Sequence, residues 1–135
     1  RRATSVEAER RQGIYRGRLP ALGPEDMSLR VRCLVYRPVA ITSSEYNNNV
    51  QIAQSPSYVA ILQEQIHEVR IIPLDNRPEF SSSVDQWLGI SRGHWEDDTL
   101  VIETTNFRDD AEYLGSNLHR HVEERLTRIN DGTIR

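Results

Sequence analysis

Residues 58–73 restrict the fold more than any other stretch. Tyr58-Val-Ala-Ile61-Leu62 is nearly continuous and apolar, and Val69-Arg-Ile71-Ile72 follows after a short polar interval, ended by Pro73. Apolar, largely β-branched runs of this length, bounded by turn residues, read as strands. Over residues 64–75 the ionisable side chains Glu64, His67, Glu68, Arg70 and Asp75 alternate with aliphatic ones. That is the pattern of a strand with one wet face, or of a wall lining a polar cavity. Neither reading names a reaction.

The rest of the chain extends the same theme. Val50-Gln-Ile52-Ala alternates, and Ser55-Pro56-Ser57 supplies a turn before the next strand. Gly93-His-Trp95-Glu and Thr99-Leu-Val-Ile102-Glu-Thr-Thr105 form the clearest strand pair, folded about Asp97-Asp98. Residues 119–129 alternate as one more long strand, and Asn130-Asp131-Gly132 should return it as a further hairpin. Gln86-Trp87 reads as one helical turn. Short strands joined by tight turns imply an antiparallel meander, closed as a lipocalin-like barrel or a strongly curved sheet.

Residues 1–45 differ in character and read as a helical and linker extension, with the β domain spanning 46–135. Thr4-Ser5-Val6-Glu7 has capping-box spacing and opens a short helix to about Tyr15. Glycines and prolines then break the chain, until Pro24-Glu-Asp26 opens a second helix through Cys33 with Met27, Val31 and Leu34 as its apolar stripe. Cys33, the only cysteine, is expected to be a small buried hydrophobe. A strand opening at Thr133-Ile-Arg135 suggests an interior piece of a longer, partly missing fold.

Composition narrows the function classes. At 135 residues there is room for one core but not for a separate cofactor domain, and no cofactor is expected. All 17 basic residues are arginine against 20 acidic residues, so there is no basic excess to track phosphates and nucleic acid is not an expected partner. No run is apolar enough to span a bilayer, and a single cysteine precludes an internal disulfide or a cysteine zinc cage. Oligomeric state is left open.

The candidate catalytic residues are His67 or His121 as general base, with Glu64 or Glu124 orienting the imidazole. Glu64 and His67 would stack on a helix, but on a strand they converge only if a turn falls between them. On a continuous strand, Glu64, Glu68 and Arg70 would share a face with Leu62, Ile66 and Ile72. Arg70 is then either a salt bridge that holds the sheet together or a clamp for a ligand carboxylate. Glu124, flanked on its face by Val122 and Leu126, either points into a cavity or pairs with an arginine there. His119 and His121 share a strand face, but a metal site would need a third ligand such as His67, His94 or Glu103, and none is assigned. Trp95 offers an aromatic wall, and Tyr46 with Asn48 in the run Asn47-Asn48-Asn49 offers donors. With Arg70 and Arg125 these make up the candidate ligand-binding set.

The motifs Tyr46-Asn-Asn-Asn49, Glu64-x-Ile-His67-x-x-Arg70-x-Ile-Pro-Leu-Asp75-x-Arg-Pro78, Gln86-Trp87-x-Gly89-x-Ser-Arg-Gly93-x-Trp95-Glu-x-Asp98-Thr-Leu-Val-Ile-Glu-Thr-Thr-Asn-Phe107 and His121-x-x-Glu124-Arg125 resemble the core of a group of soil-bacterial proteins with no established activity. Its members are typically longer and often carry an export signal, so the resemblance implies a periplasmic or secreted protein. Asn76 and Asp97 stand where that group usually has glycine.

Three functions fit these residues. The first is a β domain that binds a small apolar or aromatic molecule, oriented by Arg70, Trp95 and Glu124. The second is an enzyme using one of the histidine and glutamate pairs as acid and base. The third is a structural or interaction domain whose charges form salt bridges with one another.

Overall fold

The computed structural model describes residues 13–14, 20–27, 29–35, 41, 46–75, 78, 81, 83–108 and 120–135. Within them the chain forms the strands β1 (Val50–Gln54), β2 (Tyr58–Gln63), β3 (Glu68–Pro73), β4 (Ile90–Glu96), β5 (Thr99–Thr105), β6 (Val122–Asn130) and β7 (Thr133–Ile134). Every ladder is antiparallel and joins neighbours in sequence, giving one sheet of order β1-β2-β3 and another of order β4-β5-β6-β7. β3 and β4 pack against each other but share no ladder, so the meander is split there. Among the described residues the sheets do not close into a barrel.

The turns explain the hairpins. Between β1 and β2, Ser55 donates its backbone N–H to the Tyr58 carbonyl at 2.8 Å, and its hydroxyl accepts from the Tyr58 N–H at 3.1 Å. Between β4 and β5, Asp97 takes φ 51°, a conformation open at low cost to glycine and to short polar residues. Between β6 and β7, the Asn130 side-chain oxygen accepts from the Gly132 N–H at 2.9 Å. The β2–β3 connection carries no such signature. It is a 3-10 turn, Gln65–His67, in which Ile66 and His67 have φ of 56° and 57°.

The two sheets bury one core between them. Val59 and Ile61 from β2, Ile72 from β3, and Leu100 and Ile102 from β5 form it, with Ile41, Leu74 and Leu126 packed around. At roughly 1.5–3 kcal/mol for each fully buried aliphatic side chain, this cluster is the main favourable term in the fold. Gly93 on β4 lets the sheets approach: a Cβ there would lie 2.9 Å from both Ile72 Cγ2 and Leu74 Cδ2.

The N-terminal segment departs from expectation. The helix expected up to Tyr15 lies outside the described residues except at Gly13 and Ile14, which are helical. The second expected helix is a single 3-10 turn, Pro24–Asp26, followed by turns closed by Leu34 N–H to Leu29 carbonyl and Cys33 N–H to Arg30 carbonyl. With no helix there is no stripe: Met27, Val31 and Leu34 are exposed, and so is Cys33, which adopts φ 53°. Val35 by contrast is fully buried, and Ile41 reaches the core. At Gln86 and Trp87 the expected turn is present as one hydrogen-bonded turn, Gly89 N–H to Gln86 carbonyl at 3.1 Å, that does not continue into a helix. Gln86 bridges to Phe107 in parallel, and Arg108 lies over the Trp87 ring at 4.4 Å.

Candidate functional site

Alternation on β2 and β3 sorts the polar residues between inside and outside. Gln63, Glu68 and Arg70 fall on the buried face with Val59, Ile61 and Ile72, because Ile61 pairs with Arg70 and Gln63 with Glu68 across the hairpin. On the opposing sheet Glu124 lies beside Ile102, facing inward. The Arg70 guanidinium reaches across and donates to Glu124 Oε2 at 2.5 Å, with the two side chains only 5% and 7% exposed. The Ile41 N–H adds a longer bond to Glu124 Oε1 at 3.4 Å. Arg70 Nε finds no partner among the described residues. The arginine and the carboxylate that each had two readings in the sequence are thus each other's partner, and the pair clamps β3 to β6.

Neither candidate acid and base pair forms among the described residues. A turn does fall between Glu64 and His67, yet the Glu64 carboxylate accepts from the Asn49 side-chain and backbone N–H groups at 2.9 and 3.3 Å, and His67 is exposed. His121 is exposed just before β6 and three residues from Glu124, on the opposite side of an extended chain, while Glu124 is held by Arg70. His119 lies outside the described residues. Trp95 ends the inward row of β4 and is 46% exposed. The Tyr46 hydroxyl accepts from Arg30 at 3.0 Å, and Asn48 is exposed.

The outward face of the second sheet carries most of the remaining charge. Arg92, His94 and Glu96 alternate along β4, with Glu103 on β5 and Glu123 and Arg125 on β6. Arg125 bridges Glu96 and, at 3.4 Å, Glu123, so this candidate ligand group is engaged in a surface ladder. His94 Nε2 lies 3.3 Å from Glu96 Oε1. The Arg125 guanidinium, and then His94, hold the Glu96 carboxyl below the usual carboxylate range.

One cleft of about 220 Å³ opens where the meander splits, lined by Pro73, Leu74, Asp75, Arg92, Gly93, His94 and Glu103. Pro73 to Asp75 leave β3 along the edge of β4, and Arg92 donates weakly to the Asp75 carbonyl at 3.4 Å. Gly93 contributes backbone only, and Ile72 and Leu74 close against it, while Arg92 and Glu103 sit directly opposite each other across the β4–β5 ladder. The cleft therefore presents a guanidinium, an imidazole and two carboxylates around an apolar corner. Sequence reasoning did not assemble this group, although its signal was present: Arg92, His94 and Glu96 occupy alternate positions of a strand. No family model matches the chain, and neither does any curated protein or solved structure.

Proposed function

We propose that this chain is a ligand-binding β domain whose site is the cleft at the β3–β4 split. The observation that carries this reading is the convergence of Asp75, Arg92, His94 and Glu103 on one concavity at a break in the sheet. Pockets with a few convergent polar groups are the default place for a small ligand. The volume of about 220 Å³ lies below the roughly 300–1,000 Å³ of pockets for drug-sized molecules, so the ligand is small. Cationic and anionic groups side by side favour a small polar molecule bearing both a carboxylate and a hydroxyl or ammonium group. The apolar or aromatic ligand suggested by the sequence has weaker support, because the inward face is filled by the core and by the Arg70–Glu124 pair. The exported location implied by the resemblance belongs to the same proposal.

The test is unfolding in the presence of serine and of lactate as probes. A ligand that binds only the folded state at about 100 times its dissociation constant stabilises by roughly 2.7 kcal/mol. Arg92→Ala and Glu103→Gln should abolish the shift, whereas His67→Ala and His121→Ala should leave it intact. A shift lost on His67→Ala would move the site to the β2–β3 turn, and no shift with either probe would sink the assignment. The structural-domain reading is favoured by one observation, the buried Arg70–Glu124 clamp, and would then stand alone.

A further inference from the structure

The first sheet ends at β1, and among the described residues no strand covers that edge. The Glu64 N–H bonds to the Asn49 carbonyl at 2.9 Å and the Ser55 N–H to the Tyr58 carbonyl at 2.8 Å, in one continuous register with Gln51 opposite Leu62 and Ala53 opposite Ala60. In an antiparallel ladder, alternate residues bond alternate sides. Asn49, Gln51, Ala53 and Ser55 therefore face β2, and Val50, Ile52 and Gln54 aim their N–H and carbonyl groups away from the sheet. All five strand residues are exposed, and no partner strand lies on that side among the described residues.

Natural edges are usually protected by a charge, a proline, a bulge or a covering segment. Val50-Gln-Ile-Ala-Gln54 contains no charge and no proline, and its register with β2 is unbroken. Its inward side chains, Val50 and Ile52, lie beyond the reach of the second sheet; Ile52 is 39% exposed although it pairs with the fully buried Ile61. The outward face of the same sheet is also uncharged. It consists of Gln51 and Ala53 on β1, Tyr58, Ala60 and Leu62 on β2, and Val69, Ile71 and Pro73 on β3, with Ile71 55% exposed.

We infer that β1 is an interface for a second copy of this chain, paired antiparallel about a two-fold axis at Ile52. In that register Ile52 meets Ile52 of the other copy, Val50 meets Gln54, and Gln51 meets Ala53, so apolar groups and amides face one another and no like charges do. The outward-directed groups of Val50, Ile52 and Gln54 then complete a further ladder, and two three-stranded sheets become one of six with a continuous uncharged outer face. A two-fold interface must be self-complementary, and this strand is. The strand carries no charge, so a second copy can approach along it without setting its own like charges against each other. The contact is smaller than a standard interface, so the dimer is in the micromolar range or weaker.

The test is sedimentation equilibrium of the 135-residue chain from roughly 1 µM to roughly 500 µM, with amide hydrogen exchange measured at both ends. The mass should rise toward that of a dimer, and exchange at Val50, Ile52 and Gln54 should slow by about tenfold in step with it. Ile52→Lys places a charge against its own copy, and Ile52→Pro removes one outward N–H at a position where edge strands tolerate proline. Both should stay monomeric with unchanged circular dichroism. The inference is overturned by a monomer at every concentration with those amides exchanging freely. It is equally overturned by a monomer in which they are protected, since the edge would then be covered within one chain, and by a dimer that survives both substitutions.

Discussion

Replacing Arg70 by methionine should cost about 3–5 kcal/mol, because it leaves the Glu124 carboxyl inside the sheet packing with, among the described residues, only the Ile41 N–H at 3.4 Å. Against a typical total stability of roughly 5–15 kcal/mol this is a large fraction. For a domain of this size it corresponds to a fall in Tm of about 10–20 °C. Removing both charges together, as Arg70→Met with Glu124→Leu, should behave differently. The pair is expensive to desolvate, and the unpartnered Arg70 Nε adds roughly 1–3 kcal/mol of uncompensated burial. The double variant should therefore lie within about 1 kcal/mol of the parent, or be more stable by up to about 4 kcal/mol. Urea unfolding of the four proteins of the cycle measures this, with equal slopes required for the comparison. The reasoning is refuted if Arg70→Met alone costs less than about 1 kcal/mol, or if the double variant loses the sum of the two single losses.

Two further outcomes follow from the packing and the surface charge. Gly93→Ala should cost about 1–3 kcal/mol, because its Cβ would press on Ile72, which is fully buried and cannot yield; a urea midpoint equal to the parent's would show that the two sheets are loosely packed at the split. Glu96 has a folded pKa below its unfolded value, so its contribution is complete above the unfolded pKa and is lost as pH falls through the folded one. Glu96→Gln should accordingly flatten the acid side of the stability curve and leave the alkaline side alone, and an unchanged acid slope at low salt would contradict the Arg125 contact.

The strands were legible because their turns are written locally. Ser55-Pro56-Ser57, Asp97-Asp98 and Asn130-Asp131-Gly132 each fold the chain through side-chain or left-handed geometry that those residue types favour. The turn at Gln65–His67 was not legible, because an isoleucine with positive φ is held by the surrounding hairpin rather than chosen by its own preference. That is why Leu62 and Glu64 looked as though they shared a face with Arg70, when of that row only Glu68 and Ile72 do, joined from β2 by Val59, Ile61 and Gln63. The apolar spacing of Met27, Val31 and Leu34 suggested a helix, but the local turns at residues 29–34 prevailed and left Cys33 exposed. At the candidate site, the identity of Arg70 and Glu124 as buried charges could be read from their neighbours. Their pairing could not, since residues 54 positions apart meet only through the facing of two sheets.

The order of the strands has a consequence for how the chain is wired. Each backbone ladder links segments consecutive in sequence, so most of the hydrogen bonding can be assembled by closing short loops, at an entropic cost that grows only slowly with length. What holds the first sheet against the second is carried mainly by side chains: Ile72 and Leu74 against Gly93, Ile61 near Ile102, Arg70 with Glu124. Local backbone pairing makes the two sheets, and a small number of interior side chains determines how those sheets face each other.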